Sequence, residues 1–180
     1  MLSNEFIRGR TPLDTLGHLE TIDIVHAMIH EGKHFSTSRY EKLAAASALN
    51  ILITAPATGQ YHFTAEFGTD GPGLMTFSKS PDYDATGGTV LVAYNNDESA
   101  SADTALVHVA NGSYVSSGTI LATYVIGGSS GVGATKVVVG GDGGSRYEWM
   151  LAPSSVHLLR WVADLASCRT VIRTHFYRES

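Results

Sequence analysis

Five consecutive residues, His30-Glu31-Gly32-Lys33-His34, match the H-E-x-x-H pattern. In that pattern two histidines one helical turn apart bind zinc, and the glutamate between them acts as base to the metal's water. The chemistry needs helix through all five residues, so that both imidazoles share a face, and it needs a third protein ligand. Gly32 in the middle costs a helix about 1 kcal/mol relative to alanine. Lys33 places a positive charge beside the supposed cation. The longer form of the motif fails, because Thr37 and Tyr40 stand where a glycine and a third histidine belong. Glu41 and Glu66 are the nearest downstream carboxylates, and neither lies in a recognisable second helix. The expectation is that this is not a protease.

A non-proteolytic metal site gathered from His26, His30, His34 and His62 is a separate possibility, since imidazole is the commonest metal ligand. Cupin-type jelly rolls, however, carry two histidines one residue apart on a strand, and no H-x-H occurs in this chain. Gly127-Gly128-Ser129-Ser130-Gly131-Val132-Gly133-Ala134-Thr135-Lys136 has the glycine content of a phosphate loop, but lacks its glycine-lysine-serine/threonine ending and any βαβ surroundings. There is no G-x-S-x-G. Asp82, Asp84, Asp97, Glu98 and Asp103 read as a solvated acidic rim whose spacing is not that of a calcium loop. The lone Cys168, among apolar neighbours, reads as a small core residue. No catalytic residue, metal or cofactor is expected.

The elements that must position these residues are strands. The chain has 180 residues, 43% hydrophobic and 16% charged, enough for one domain with a core. A net charge of −5 gives no electrostatic reason to expect nucleic-acid binding. No apolar run reaches the roughly 20 residues of a membrane helix. The N-terminus lacks a secretory apolar segment, so synthesis in the cytoplasm is expected. Residues 1–21 have no sustained period. They scatter Phe6, Ile7, Leu13 and Leu16 among Arg8 and Arg10, with Gly9, Pro12 and Gly17 as breakers, and read either as a disordered leader or as an extended N-terminal arm that orders on a partner. Residues 22–180 read as one β-sandwich domain, with 22–48 as the junction between arm and sandwich and Ile22–Phe35 as an extended segment within it.

Within that junction Ile22–His30 fits strand and helix periodicity alike, and Tyr40–Ala48 has the alanine and lysine content for one or two helical turns. From Leu49 onward the strand signals are clearer. Tyr61–Phe67 alternates cleanly, with Tyr61, Phe63, Ala65 and Phe67 inward and His62, Thr64 and Glu66 outward. Turns at Asp70-Gly71-Pro72-Gly73, Gly87-Gly88, Asn95-Asn96-Asp97, Asn111-Gly112 and Ala152-Pro153-Ser154-Ser155 separate further short apolar runs. About eight or nine strands with no helix between them predict an all-β fold, an antiparallel sandwich of jelly-roll type.

Several of these segments resemble a known family. Ile22-Asp23 followed by His30-Glu31-Gly32-Lys33-His34-Phe35 is similar to a stretch of tailed-bacteriophage virion proteins in which I-H-x-G-x-x-[FY] follows a short leader. The similarity continues through Thr54-Ala55-Pro56 before Tyr61–Phe67, Gly88-Thr89 leading to Tyr94-Asn95-Asn96, Gly118-Thr119, Glu148-Trp149-Met150-Leu151-Ala152-Pro153, and Phe176-Tyr177 with Glu179. The resemblance implies a head decoration, or cement, protein of jelly-roll type. Such a protein assembles as a homotrimer on the outer capsid surface of the virion and bridges subunits of the major capsid protein. It implies that the junction histidines His26, His30 and His34 are packing groups and not ligands, and that a glycine amid them is expected. Two departures stand out. The family carries a basic residue near the position of Glu98, and its final Trp-Tyr-Glu is replaced by Phe176-Tyr177-Arg178-Glu179. Phe6, Ile7, Arg8, Arg10, Leu13 and Leu16 are then the expected capsid contacts. A phage fibre or carbohydrate-binding module using surface aromatics and the Asn95-Asn96-Asp97 loop is the alternative.

Overall fold

The computed structural model describes residues 29–101, 103–126, 135–139 and 148–179. The expected arm, with Phe6, Ile7, Arg8, Arg10, Leu13 and Leu16, and His26 lie outside the described residues. Within them the chain is all-β. Its strands are β1 (His34–Leu43), β2 (Ala48–Thr54), β3 (Gln60–Thr69), β4 (Gly73–Lys79), β5 (Asp82–Asp84), β6 (Thr89–Asn95), β7 (Asp103–Ala110), β8 (Ser113–Ser116), β9 (Thr119–Ile126), β10 (Thr135–Val139), β11 (Trp149–Leu151), β12 (Val156–Ala163) and β13 (Cys168–Glu179).

The pairings are nested. β1 pairs with β13, β2 with β12, β3 with β10 and β4 with β9, all antiparallel. β13 also pairs with β3, and β12 with β4. A long hairpin folded over on itself gives this pattern, and it yields two four-stranded sheets, β1-β13-β3-β10 and β2-β12-β4-β9, in the order of a jelly roll. β6 and β7 lie between β1 and β2 and join the two sheets along one side, since β6 pairs β1 and β7, and β7 pairs β2. β11 adds to β3, and β5 and β8 form a separate ribbon.

Alternation puts one face of each sheet inside. Tyr61, Phe63, Ala65 and Phe67 are buried together with Phe35, Ile172 and Phe176 from the first sheet, against Leu49, Ile51, Ile53, Met75, Phe77, Leu159 and Trp161 from the second. Aromatic rings close the gap between sheets. Phe63 stacks on Phe77 at 5.8 Å between centroids, and Phe67 meets Trp161 at 4.4 Å. At Gly73 a Cβ would collide with the Val162 carbonyl and come within 2.6 Å of the Trp161 ring, so only glycine lets β4 pass so near β12. Cys168 is buried in this core as expected, its Sγ 2.9 Å from Thr69 Oγ1.

Three expectations need correction. Tyr40–Ala48 is not helical: β1 runs through Leu43, and the chain turns at Ala46 with φ 58°. Serine and lysine are weak strand formers, and the strand exists because β13 pairs along its whole length. The strands number thirteen among the described residues, against the eight or nine expected, and β1, β5 and β8 are among those not anticipated. Nor is the junction extended throughout. Ile29 and His30 are helical, Gly32 N donates to Ile29 O at 2.9 Å, and Gly32 turns the chain with φ 64° before β1 begins.

Candidate functional site

That turn settles the geometry of the H-E-x-x-H string. His30 ends a helical turn, Gly32 takes the left-handed conformation, and His34 is the first residue of a strand. The two histidines therefore do not share a helical face, which is what zinc binding by this motif requires. No group of three or more His, Cys, Asp or Glu side chains among the described residues is placed to hold a metal ion.

His34 instead belongs to a cluster made by sheet register. Odd residues of β1 and even residues of β13 point into the core, so the opposite set lines the outer face. On that face Tyr177 of β13 sits between His34 of β1 and His62 of β3, its cross-strand partners on either side. The next row holds Ser36, His175 and Thr64. Ile29, Asn96 and Glu148 complete the lining of a cleft of about 340 Å³ over these two rows. Of the four histidines weighed from the sequence, the structure brings His34 and His62 to one cleft. His30 stands close enough to Asp97 to act on it electrostatically.

The contacts are specific. Glu148 Oε2 lies 2.9 Å from His62 Nδ1 and accepts from the Tyr177 hydroxyl at 2.7 Å. An ionised carboxylate can only accept, so the contact fixes the imidazole proton on Nδ1. The His62 and Tyr177 rings stack at 4.4 Å with 8° between planes. The His34 ring lies 5.8 Å from that of His175 and 6.5 Å from that of Tyr177. His34 is only 6% exposed, and its Nδ1 has no hydrogen-bond partner among the described residues. Burial, and then the neighbouring His175, lower its pKa to about 4, against an opposing pull from Glu148.

Two asparagines hold the rim. Asn95 Nδ2 donates to Gly32 O at 2.8 Å and to Ser101 O at 3.2 Å, while its Oδ1 accepts from Asp97 N at 2.9 Å. The Asn96 backbone N–H donates to His34 O at 2.9 Å, and its Oδ1 accepts from the Ser36 hydroxyl at 2.9 Å. The loop after β6 is thereby fastened to the turn before β1. Gly32 is fitted to this place, since a Cβ there would meet Ala100 Cβ at 3.0 Å.

Glu148, His175, Tyr177 and Asn96 were not among the residues singled out from the sequence for this site. His175 and Tyr177 alternate with buried Thr174 and Phe176, which marks them as outward, but alternation carries no information about register. The acidic residues Asp82 and Asp84 lie in β5, and the Asp97 carboxylate accepts from Ser99 N at 2.9 Å and Ser99 Oγ at 2.6 Å, a self-contained turn. Comparison with known proteins adds no assignment: no family model matches the chain, and neither a curated protein nor a solved structure matches it.

Proposed function

We propose that the protein is a phage capsid decoration protein, a homotrimer that docks on the assembled head and bridges subunits of the major capsid protein. One observation carries the reading. Four of the stretches on which the family resemblance rests, His30–Phe35, Tyr94-Asn95-Asn96, Glu148-Trp149 and Phe176-Tyr177, are far apart in sequence yet meet at the corner built by His34, Asn96, Glu148 and Tyr177. That corner adjoins Ile29, where the described chain begins. The jelly-roll body supports the same reading, because its paired strands make a stiff block from which a preceding segment can reach a neighbour.

The mechanism is mechanical. Each contact with the shell can be weak, because linked contacts made by a trimer act as one multivalent attachment. Ordering an N-terminal segment such as Phe6–Leu16 on the capsid costs free energy, so its apolar and arginine contacts must be extensive. Self-association is supported by β6, where Val90, Val92 and Tyr94 share one face and are 67%, 56% and 67% exposed.

The copy number of this chain in virions purified from the phage that encodes it tests the proposal. Copies on the scale of the capsid subunits are expected. A few copies per particle, together with binding of the purified protein to host cells, would replace decoration with receptor binding. Absence from the particle would remove both.

A further inference from the structure

The corner cleft gathers three imidazoles, a carboxylate and a phenol where two separate segments meet the outer face of the β1-β13-β3 sheet. We propose that this cluster is an acid-released clasp. At neutral pH it holds the turn at residues 29–33 and the backbone around Glu148 against the sheet, and on mild acidification it lets go while the sandwich stays folded. The clasp does not depend on what the protein docks on.

The argument starts at His34. Its ring is buried and Nδ1 has no hydrogen-bond partner among the described residues, so a proton added there would leave a buried N–H without an acceptor and a buried charge beside a second imidazole. The surroundings offer little relief. From β13 it is faced by His175 and Tyr177, and from β3, beyond Tyr177, by His62. From the segment before β11 it is faced by Glu148, whose Oε2 already takes the His62 and Tyr177 protons. On its own side stand Glu31 and Lys33, paired with each other at 2.8 Å, and His30, which acts on Asp97. Arg173 and Glu66 face each other one row past His175. Protonation is therefore easier once the ring swings into water, and this links opening to proton uptake.

The release is local because of where the cluster sits. The turn is tied down by Gly32 N to Ile29 O, Asn95 Nδ2 to Gly32 O, Asn96 N to His34 O and a long Arg178 N to Lys33 O contact of 3.4 Å. None of these lies between the sheets, where Phe63, Phe67, Phe77 and Trp161 hold the sandwich. Segments with few hydrogen bonds and little apolar burial open below the global unfolding free energy.

The sign follows from the lowered His34 pKa. A group held at about 4 in the closed state and at 6.5 when solvated keeps the clasp shut above pH 6.5, and that advantage is lost as pH falls from 6.5 toward 4. Between pH 7 and pH 5 the open-to-closed ratio rises on the order of 20-fold.

Hydrogen exchange of the full-length protein, corrected for intrinsic rates, reads this directly. Amides of residues 29–33, 96–97 and 148 are expected to lose protection by about that factor between pH 7 and pH 5, while β2, β4 and β12 keep theirs. In His34→Gln, which removes the titration and keeps a polar side chain, the response should vanish. His175→Gln, a second variant, should weaken it, because without the neighbouring imidazole the closed-state pKa of His34 lies nearer 6.5 and the pH window narrows. Three outcomes would overturn the clasp: an unchanged wild-type corner at pH 5, a corner that opens only in step with β2, β4 and β12, or a full response in a folded His34→Gln protein.

Discussion

Two buried histidines, His34 and His157, are held at about the same pKa near 4 in two different regions. In both, burial is the main cause. His157 belongs to the second sheet, where its ring stacks on Phe77 at 5.3 Å with 13° between planes, and Lys79 adds to the lowering. His34 belongs to the outer corner of the first sheet, among His175, Tyr177, His62 and Glu148. Equal titration thus has unequal consequences. A proton forced onto His157 acts on an aromatic contact that packs the core. A proton forced onto His34 acts on a turn fastened by a few hydrogen bonds. What a buried histidine does in acid is decided by what its neighbours hold together.

The largest expected effect comes from breaking the side of the comparison that packs the core. Trp161 is fully buried against Phe67, so Trp161→Ala removes a large apolar surface and leaves a cavity between the sheets. Equilibrium unfolding in urea should show a loss of about 3–5 kcal/mol. A loss below about 1 kcal/mol would mean that the sheets are not held together here.

A middle-sized effect separates the two histidines. The folded-state pKa of His157 lies below 6.5, so its contribution to stability is present above pH 6.5 and falls away toward pH 4. Allowing for partial solvent screening, His157→Gln should flatten the pH dependence of global unfolding between pH 7 and pH 5 by about 1 kcal/mol. The same substitution should leave the exchange of residues 29–33 responsive to pH. Were His157→Gln to abolish the response of that turn, the two regions would be one cooperative unit and the comparison would collapse.

How far the sequence foretold these regions differs between them, and for a physical reason. The core strand β3 was legible because its pattern is local: Tyr61, Phe63, Ala65 and Phe67 alternate with polar residues and are all fully buried. β1 was not, because Ser36, Ser38 and Lys42 have little strand preference of their own and are ordered by His175, Arg173 and Arg169 opposite them. The jelly-roll type followed from strand number and spacing, but the order needed pairing across the whole chain. The corner was half legible. Its histidines were conspicuous, and the glycine argued against a helix. What they touch was not visible, since Tyr177 reaches His34 and His62 only through the register of β13 against β1 and β3. A shift of one residue would have put Tyr177 inside and Phe176 out.

The smallest expected effect sharpens what holds the corner. Lys33 is next to His34 and pairs with Glu31 at 2.8 Å, a contact that looks like a brace for the turn. Both side chains are about one-third exposed, and exposed ion pairs contribute about 0–1 kcal/mol, reduced further by salt. The turn has better anchors in Asn95 on the Gly32 carbonyl and Asn96 on the His34 carbonyl. Lys33→Ala should therefore change global stability by less than about 0.5 kcal/mol and leave the pH response of residues 29–33 in place. Should Lys33→Ala loosen that turn at pH 7 as much as acid does in the wild-type protein, the surface pair and not the buried cluster would be what keeps it closed.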